Sequence, residues 1–219
     1  MKVRVLGCSG GIGAGLRTTS LLIDGEILID AGTGVGDLPL AELRRIRQVF
    51  MTHTHLDHVA CLPLLVDTIF DQLADPLVVH GRAETIDALR AHVFNWVMWP
   101  DFSVLPSATR PCMRFSTLTP GRKVDAAGRK FLPIEMNHTV PALGYIVESQ
   151  GKYFAFTGDT AANDAFWDAL NALLKQINGT VYRWPGGNFV SGYNWMDGIG
   201  PKTQRPVTLD LSRTRKESN

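Results

Sequence analysis

Three histidines and an aspartate fall within six residues, His53, His55, Asp57 and His58, in the run Thr52-His53-Thr54-His55-Leu56-Asp57-His58. The whole chain of 219 residues holds only six histidines. Imidazole nitrogen and carboxylate oxygen are the donors that suit zinc and its first-row neighbours, so the cluster predicts a metal centre rather than a polar surface loop. In extended chain His53, His55 and Asp57 would share one side. A turn or helix beginning after Leu56 would bring His58 round to join them, so that one segment serves two adjacent ions. His53 and His55 suit one ion, Asp57 and His58 the other.

Four donors do not complete two sites, and the further ligands are expected at other strand ends. His138 follows the apolar run Phe131 to Met136, and Asp159 follows Lys152 to Thr157. Both are predicted ligands, because loops presented by a rigid sheet are where such side chains gather. Asp30 also ends a strand, where it serves either as a turn residue or as acceptor for a ligand histidine N–H. His80 and His92 have no such company and are expected to be structural or solvent-facing.

The elements that must position these groups follow from hydrophobic pattern. Strands are predicted over Lys2–Leu6, Thr19–Ile23, Glu26–Ile29, Gln48–Met51, Leu77–Val79, Arg114–Leu118, Lys130–Met136, Ala142–Glu148 and Lys152–Thr157, with Asp24-Gly25 closing a hairpin. Helices are predicted over Ala41–Ile46, Pro63–Leu73, Ala83–Val93 and Asp164–Leu174. The stretch from Asn95 to Pro111 reads as irregular. Strand runs flanked by helices in both halves imply a layered α/β domain with helices covering the sheets. The glycines of Gly7 to Gly15 and Gly32 to Gly36 contain no G-x-G-x-x-G and read as tight turns rather than a dinucleotide cradle.

Bulk properties narrow the classes. Hydrophobic content of 45%, charged content of 20% and a net charge of +1 fit an ordinary globular chain with no overall pull toward nucleic acid or an anionic membrane. Cys8, Cys61 and Cys112 are widely spaced and odd in number, which argues against a disulfide framework and for a reducing compartment, the cytoplasm. Neither a signal peptide before Cys8 nor a membrane-spanning run of about 18 apolar residues is read in the chain. Residues 175–219 change character: they hold 7 Lys/Arg against 3 Asp/Glu, whereas residues 1–174 hold 15 against 18. Past Val181-Tyr182 this tail offers no legible core element, and it is expected to be an atypical, loosely packed appendage to a domain spanning 1–174.

His53-x-His55-x-Asp57-His58 resembles the signature of the metallo-β-lactamase superfamily. The likeness extends to Asn137 to Tyr145, to Phe156-Thr157-Gly158-Asp159-Thr160, to Leu6 to Gly11 and to Leu28 to Gly34. Together these segments look most like the bacterial 3′,5′-cyclic-nucleotide phosphodiesterase branch, itself similar to the tRNA 3′-processing endonucleases. The resemblance implies an αββα sandwich and two divalent metal ions, zinc first, with manganese or iron as alternatives. It implies that His53, His55 and His138 bind one metal, that Asp57 and His58 bind the second, and that Asp159 bridges.

The family also places a further metal-binding histidine late in the fold. No histidine follows His138 here, so Asp197, Asp210 or solvent would have to substitute. The expected activity is hydrolysis of a small-molecule phosphodiester by metal-activated hydroxide, with Asp57 as the catalytic residue that orients it. Alternatives are RNA 3′-end cleavage, for which no basic arm is visible within 1–174, hydrolysis of an ester or thioester, and an impaired metal-binding remnant. A homodimer is an open expectation: the aromatic segment Phe94 to Phe102 suits either the core or a dimer contact.

Overall fold

The computed structural model describes residues 1–177, 207–210 and 215–218, and the chain divides into two compact units, 1–182 and 183–219. The first unit is built on two sheets. Strands β1 (Val3–Gly7), β2 (Ser20–Ile23) and β3 (Ile27–Ile29) pair antiparallel. β4 (Gln48–Phe50), β5 (Leu77–Gly81) and β8 (Met113–Thr117) then add in parallel, giving the order β1-β2-β3-β4-β5-β8. The second sheet is antiparallel throughout, in the order β12 (Lys152–Phe156), β11 (Ala142–Ser149), β10 (Arg129–Met136), β9 (Val124–Ala126).

Alternation along the strands explains the layers. On β2, β3 and β4, Leu21, Ile23, Ile27, Ile29 and Phe50 face the second sheet, where Phe131, Leu143, Tyr145 and Val147 meet them. Their neighbours Leu22, Leu28 and Val49 point the opposite way, onto Leu62, Leu65, Val66 and Ile69 of α3 (Leu62–Ile69) and Leu89 of α4 (Ala83–His92). On the far side of the second sheet, Ile134, Met136, Ala142 and Ile146 carry Phe166 of α5 (Asp164–Ile177), with Ala169, Leu170 and Leu173 against them. Side-chain period two therefore yields helix, sheet, sheet, helix, the predicted αββα sandwich. Phe50 stacks on Phe131 at 3.8 Å between ring centroids, and Tyr145 donates its buried hydroxyl to the Met51 carbonyl at 2.5 Å.

Several details depart from expectation. The helix read over Ala41–Ile46 is one turn, α1 (Leu40–Leu43), because Arg45 and Ile46 close it with bonds to the Glu42 and Leu43 carbonyls, three residues back. The irregular stretch contains two two-residue strands, β6 (Pro106–Ser107) and β7 (Arg110–Pro111), paired with each other. In the aromatic segment Phe94 to Phe102, those two phenylalanines are core, while Trp96, Val97 and Met98 are exposed. β9 was not legible as a strand. In the second unit β13 (Val207–Asp210) pairs antiparallel with β14 (Arg215–Ser218), also unread in the sequence. Val181, Tyr182 and Asp197 lie outside the described residues, as do the remaining parts of the tail on which its expected looseness rests. Among the described residues, no helix is long and apolar enough to cross a membrane.

Candidate metal centre

β3 and β4 run parallel and in register, Ile29 beside Phe50, so the residues just past their carboxyl ends emerge together. That end of a parallel sheet is where such folds present functional groups. Past β3 comes Asp30, fully buried, with a backbone φ of +57° that non-glycine residues seldom adopt. Past β4 come Thr52 and His53, both buried, and then His55, which precedes a single helical turn, α2 (Leu56–Val59). The turn sends Leu56 to solvent and folds His58 back inside. Hydrogen bonds from Ala31 N–H to the His58 carbonyl (2.7 Å) and from Cys61 N–H to the Ala31 carbonyl (2.8 Å) fix it against the strand end. Gly32 is required there: a Cβ on it would lie 2.5 Å from the Asp57 carbonyl oxygen.

The second sheet delivers the remaining groups from the ends of β10 and β12. The His138 and Asp159 loops are tied together, with Ala161 N–H donating to the Asn137 carbonyl at 2.7 Å and Asn137 N–H to Thr160 Oγ1 at 3.2 Å.

The six side chains singled out in the sequence gather at one place. One donor atom each from His53, His55 and His138 lie within 4.8 Å of one another, and so do those of His53, His58 and Asp159. Asp57 Oδ2 and Asp159 Oδ1 each stand 3.6 Å from His58 Nε2, close enough for charge attraction but too far for a hydrogen bond. His92 is exposed on α4. His80 is buried away from the cluster, stacked on Phe50 at 4.2 Å with Nε2 paired to Gln48 Oε1 at 2.5 Å. Asp30, open between two readings in the sequence, is the acceptor for His58 Nδ1 at 2.7 Å. Thr52 was missed; its hydroxyl lies 2.7 Å from Asp30 Oδ2 and 3.0 Å from His53 Nδ1. The available signal was a hydroxyl residue joined directly to the first histidine at a strand end.

Two observations test whether these residues suit a cation. His53 Nε2 and His58 Nε2 are buried with no hydrogen-bond partner among the described residues, a costly state for polar atoms unless a ligand claims them. His55 Nδ1 and His138 Nε2 are 3.2 Å apart, near the roughly 3.3 Å that separates two nitrogens on one tetrahedral zinc with bonds of about 2.0–2.1 Å. The donor set is therefore suited to divalent metal. Protonation follows the same charges, and at His58 a bound cation would take the place of a proton. Burial, then the charge on His58, pushes His53 down to about 3. Burial also works against charge on His58, but the Asp30 and Asp159 carboxylates outweigh it and raise that group to about 10. The His58 side chain holds Asp159 down at about 2 against the effect of burial. The pocket thus favours positive charge at His58 while keeping His53 an unprotonated donor.

Comparison with known proteins bears on the same region. Residues 26–186 match the family described as Beta-lactamase superfamily domain. A probable 3′,5′-cyclic-nucleotide phosphodiesterase of Yersinia pestis is 28% identical over 195 residues, covering 74% of this chain and 55% of that protein. The structure of unliganded yeast PDE1 superimposes with a TM-score of 0.62 at 18% identity, covering 80% of this chain and 70% of the other. A different likeness is short. An exo-α-(1→6)-L-arabinofuranosidase of Bifidobacterium longum is 48% identical over 59 residues, which are 27% of this chain and 11% of that enzyme. The chain thus spans about a tenth of the arabinofuranosidase and about half of the phosphodiesterase. With a family match across most of its length, an αββα sandwich and the histidine–aspartate cluster at the strand ends, this chain belongs to the metallo-β-lactamase superfamily.

Proposed function

We propose that the first unit is a divalent-metal-dependent phosphodiester hydrolase acting on 3′,5′-cyclic nucleotides. The observation that carries the metal reading is the pair of three-residue ligand sets sharing His53 at one locus. The likeness to the Yersinia phosphodiesterase supports the substrate class. In this reading His53, His55 and His138 hold one ion, Asp57 and His58 hold the second, and Asp159 lies between them. Zinc is the first choice, with manganese or iron suited to the same donors. Bound ions there supply a water acidified to neutral pH and positive charge for the phosphate oxygens.

The chain's own residues do the rest. Asp57, half-buried at the edge of the cluster, would orient the attacking water. His53 and His58 form the buried floor that excludes solvent from one side, and the partly exposed His55, His138 and Asp159 leave the other side open to substrate. The three cysteines, free in the structure, support a cytoplasmic setting.

A second reading is favoured by one sequence fact: no histidine follows His138. In that reading the described residues hold the ion on His53, His55 and His138 tightly and the one on Asp57 and His58 weakly, with impaired activity. The composition shift at residues 175–219 supports a different character for the tail than for 1–174.

The deciding experiment measures metal content together with turnover of cyclic AMP, cyclic GMP, bis(p-nitrophenyl) phosphate, a thioester and a structured RNA, with zinc or manganese supplied. About two ions per chain and preferential phosphodiester turnover, both reduced in Asp159→Ala, are expected. One ion and feeble turnover favour the impaired reading. A metal-loaded protein that cleaves none of the phosphodiesters sinks the proposal.

A further inference from the structure

Thr52 touches two of the candidate ligands and the buried carboxylate behind them. Its backbone N–H donates to Asp30 Oδ1 at 2.7 Å and its hydroxyl to Asp30 Oδ2, also at 2.7 Å. The same Oγ1 stands 3.0 Å from His53 Nδ1 and 3.4 Å from His58 Nδ1. Its carbonyl accepts from Leu143 N–H at 2.9 Å, which ties it to the second sheet. Its methyl packs on Gly158, the residue before Asp159, so closely that a Cβ there would lie 3.1 Å from Thr52 Cγ2.

Counting protons decides what this arrangement does. A hydroxyl carries one hydrogen, and an ionised carboxylate carries none. Asp30 is fully buried and accepts from Thr52 N–H, from Thr52 Oγ1–H and from His58 Nδ1. With its one hydrogen directed to Asp30, Thr52 Oγ1 has only lone pairs left to offer. His53 Nδ1, 3.0 Å away, must then be the donor, which leaves the His53 Nε2 lone pair free to face the centre. His58 Nδ1 likewise donates to Asp30 Oδ2 and keeps that hydrogen whether or not Nε2 is protonated. Both Nε2 atoms are those left buried and unpartnered, and they point to the same place. The left-handed backbone at Asp30 is a cost that this convergence of three donors explains.

We propose that Thr52 is a shared positioning residue whose single hydroxyl, relayed through Asp30, fixes the ring tautomer and aim of His53 and His58 together and so couples the two ligand sets. The inference rests on the metal-binding reading above, since the aim of Nε2 matters only if a cation is held there. Its scale is that of outer hydrogen-bond partners of metal ligands, whose loss costs about 10- to 100-fold in metal affinity.

The test compares the wild-type chain with Thr52→Val, which keeps shape but removes the hydroxyl, and with Thr52→Ser, which restores it. Zinc affinity is read by competition with a chromophoric chelator. The ring nitrogens are read by long-range ¹H–¹⁵N correlation of labelled histidine. The Val variant is expected to lose at least tenfold in affinity, and both His53 and His58 resonances should shift. The Ser variant should return to within about threefold of wild type. Zinc binding by Thr52→Val equal to wild type, or a response confined to one ring, overturns the proposal. If Thr52→Val does not fold, the wild-type spectrum decides alone: His53 protonated on Nε2 rather than Nδ1 overturns it. A wild-type chain that takes up no zinc refutes the metal reading, while the tautomer of His53 still judges the role of Thr52.

Discussion

Two buried imidazoles show how neighbours decide what a histidine can do. His58 has Asp30 and Asp159 beside it and welcomes a positive charge. His80 has an aromatic ring and an amide, and burial pushes it down to about 4. The folded chain therefore refuses a proton that the unfolded chain accepts near pH 6.5. Stability from this group is intact above about 6.5 and is lost as pH falls toward 4, at about 1.4 kcal/mol per pH unit, roughly 3 kcal/mol in all. Urea unfolding at pH 7 and pH 4.5 should show this loss in the wild type and a visibly shallower one in His80→Phe; equal losses would contradict it. Gly158 makes a second residue-scale prediction. Its φ is +61°, and its missing Cβ leaves room for Thr52. Gly158→Ala should cost about 1–2 kcal/mol in denaturant unfolding through backbone strain and that contact.

At the scale of elements, the legible parts were those with a strong period. Leu21 to Ile23, Ile27 to Ile29 and Ala142 to Glu148 alternate or run apolar because both faces of their sheets are covered, and each was found as a strand. α5 was legible from its apolar stripe, and Phe166 anchors it, 2% exposed, against Ile134, Met136 and Ile146. Phe166→Ala should cost about 3–5 kcal/mol, read by thermal or urea denaturation, because it empties a ring-sized volume against Ile134, Met136 and Ile146. β9 was illegible because Val-Asp-Ala is three residues long and owes its strand form to pairing with β10. The histidine cluster and its distant partners were legible as residues. Thr52 was not, because the use of its hydroxyl depends on Asp30 arriving from the neighbouring strand, a contact 22 residues away in sequence.

For the whole molecule, the candidate centre draws on both sheets: His53, His55, Asp57 and His58 from the first, His138 and Asp159 from the second. A cation bound there links the two layers, so its free energy of binding adds to that of folding. At a thousandfold excess over Kd the gain is about 4 kcal/mol. Calorimetry before and after chelator treatment should show the melting temperature fall in the wild type and fall less in Asp159→Ala, which keeps His53, His55 and His138. The tail remains the part least readable from composition, since its charge shift announces a change of character without indicating the β13–β14 pairing found there.

The parallel register of β3 and β4, Ile29 beside Phe50, has an evolutionary consequence. Deleting or inserting one residue within Gln48–Phe50 would turn every later side chain of that strand over. Phe50 would swap faces and leave Phe131, and the Thr52 hydroxyl would leave Asp30, so solubility and chemistry would fail in the same step. Lineages of this protein should therefore accept length variation in the surface connections long before they accept it there.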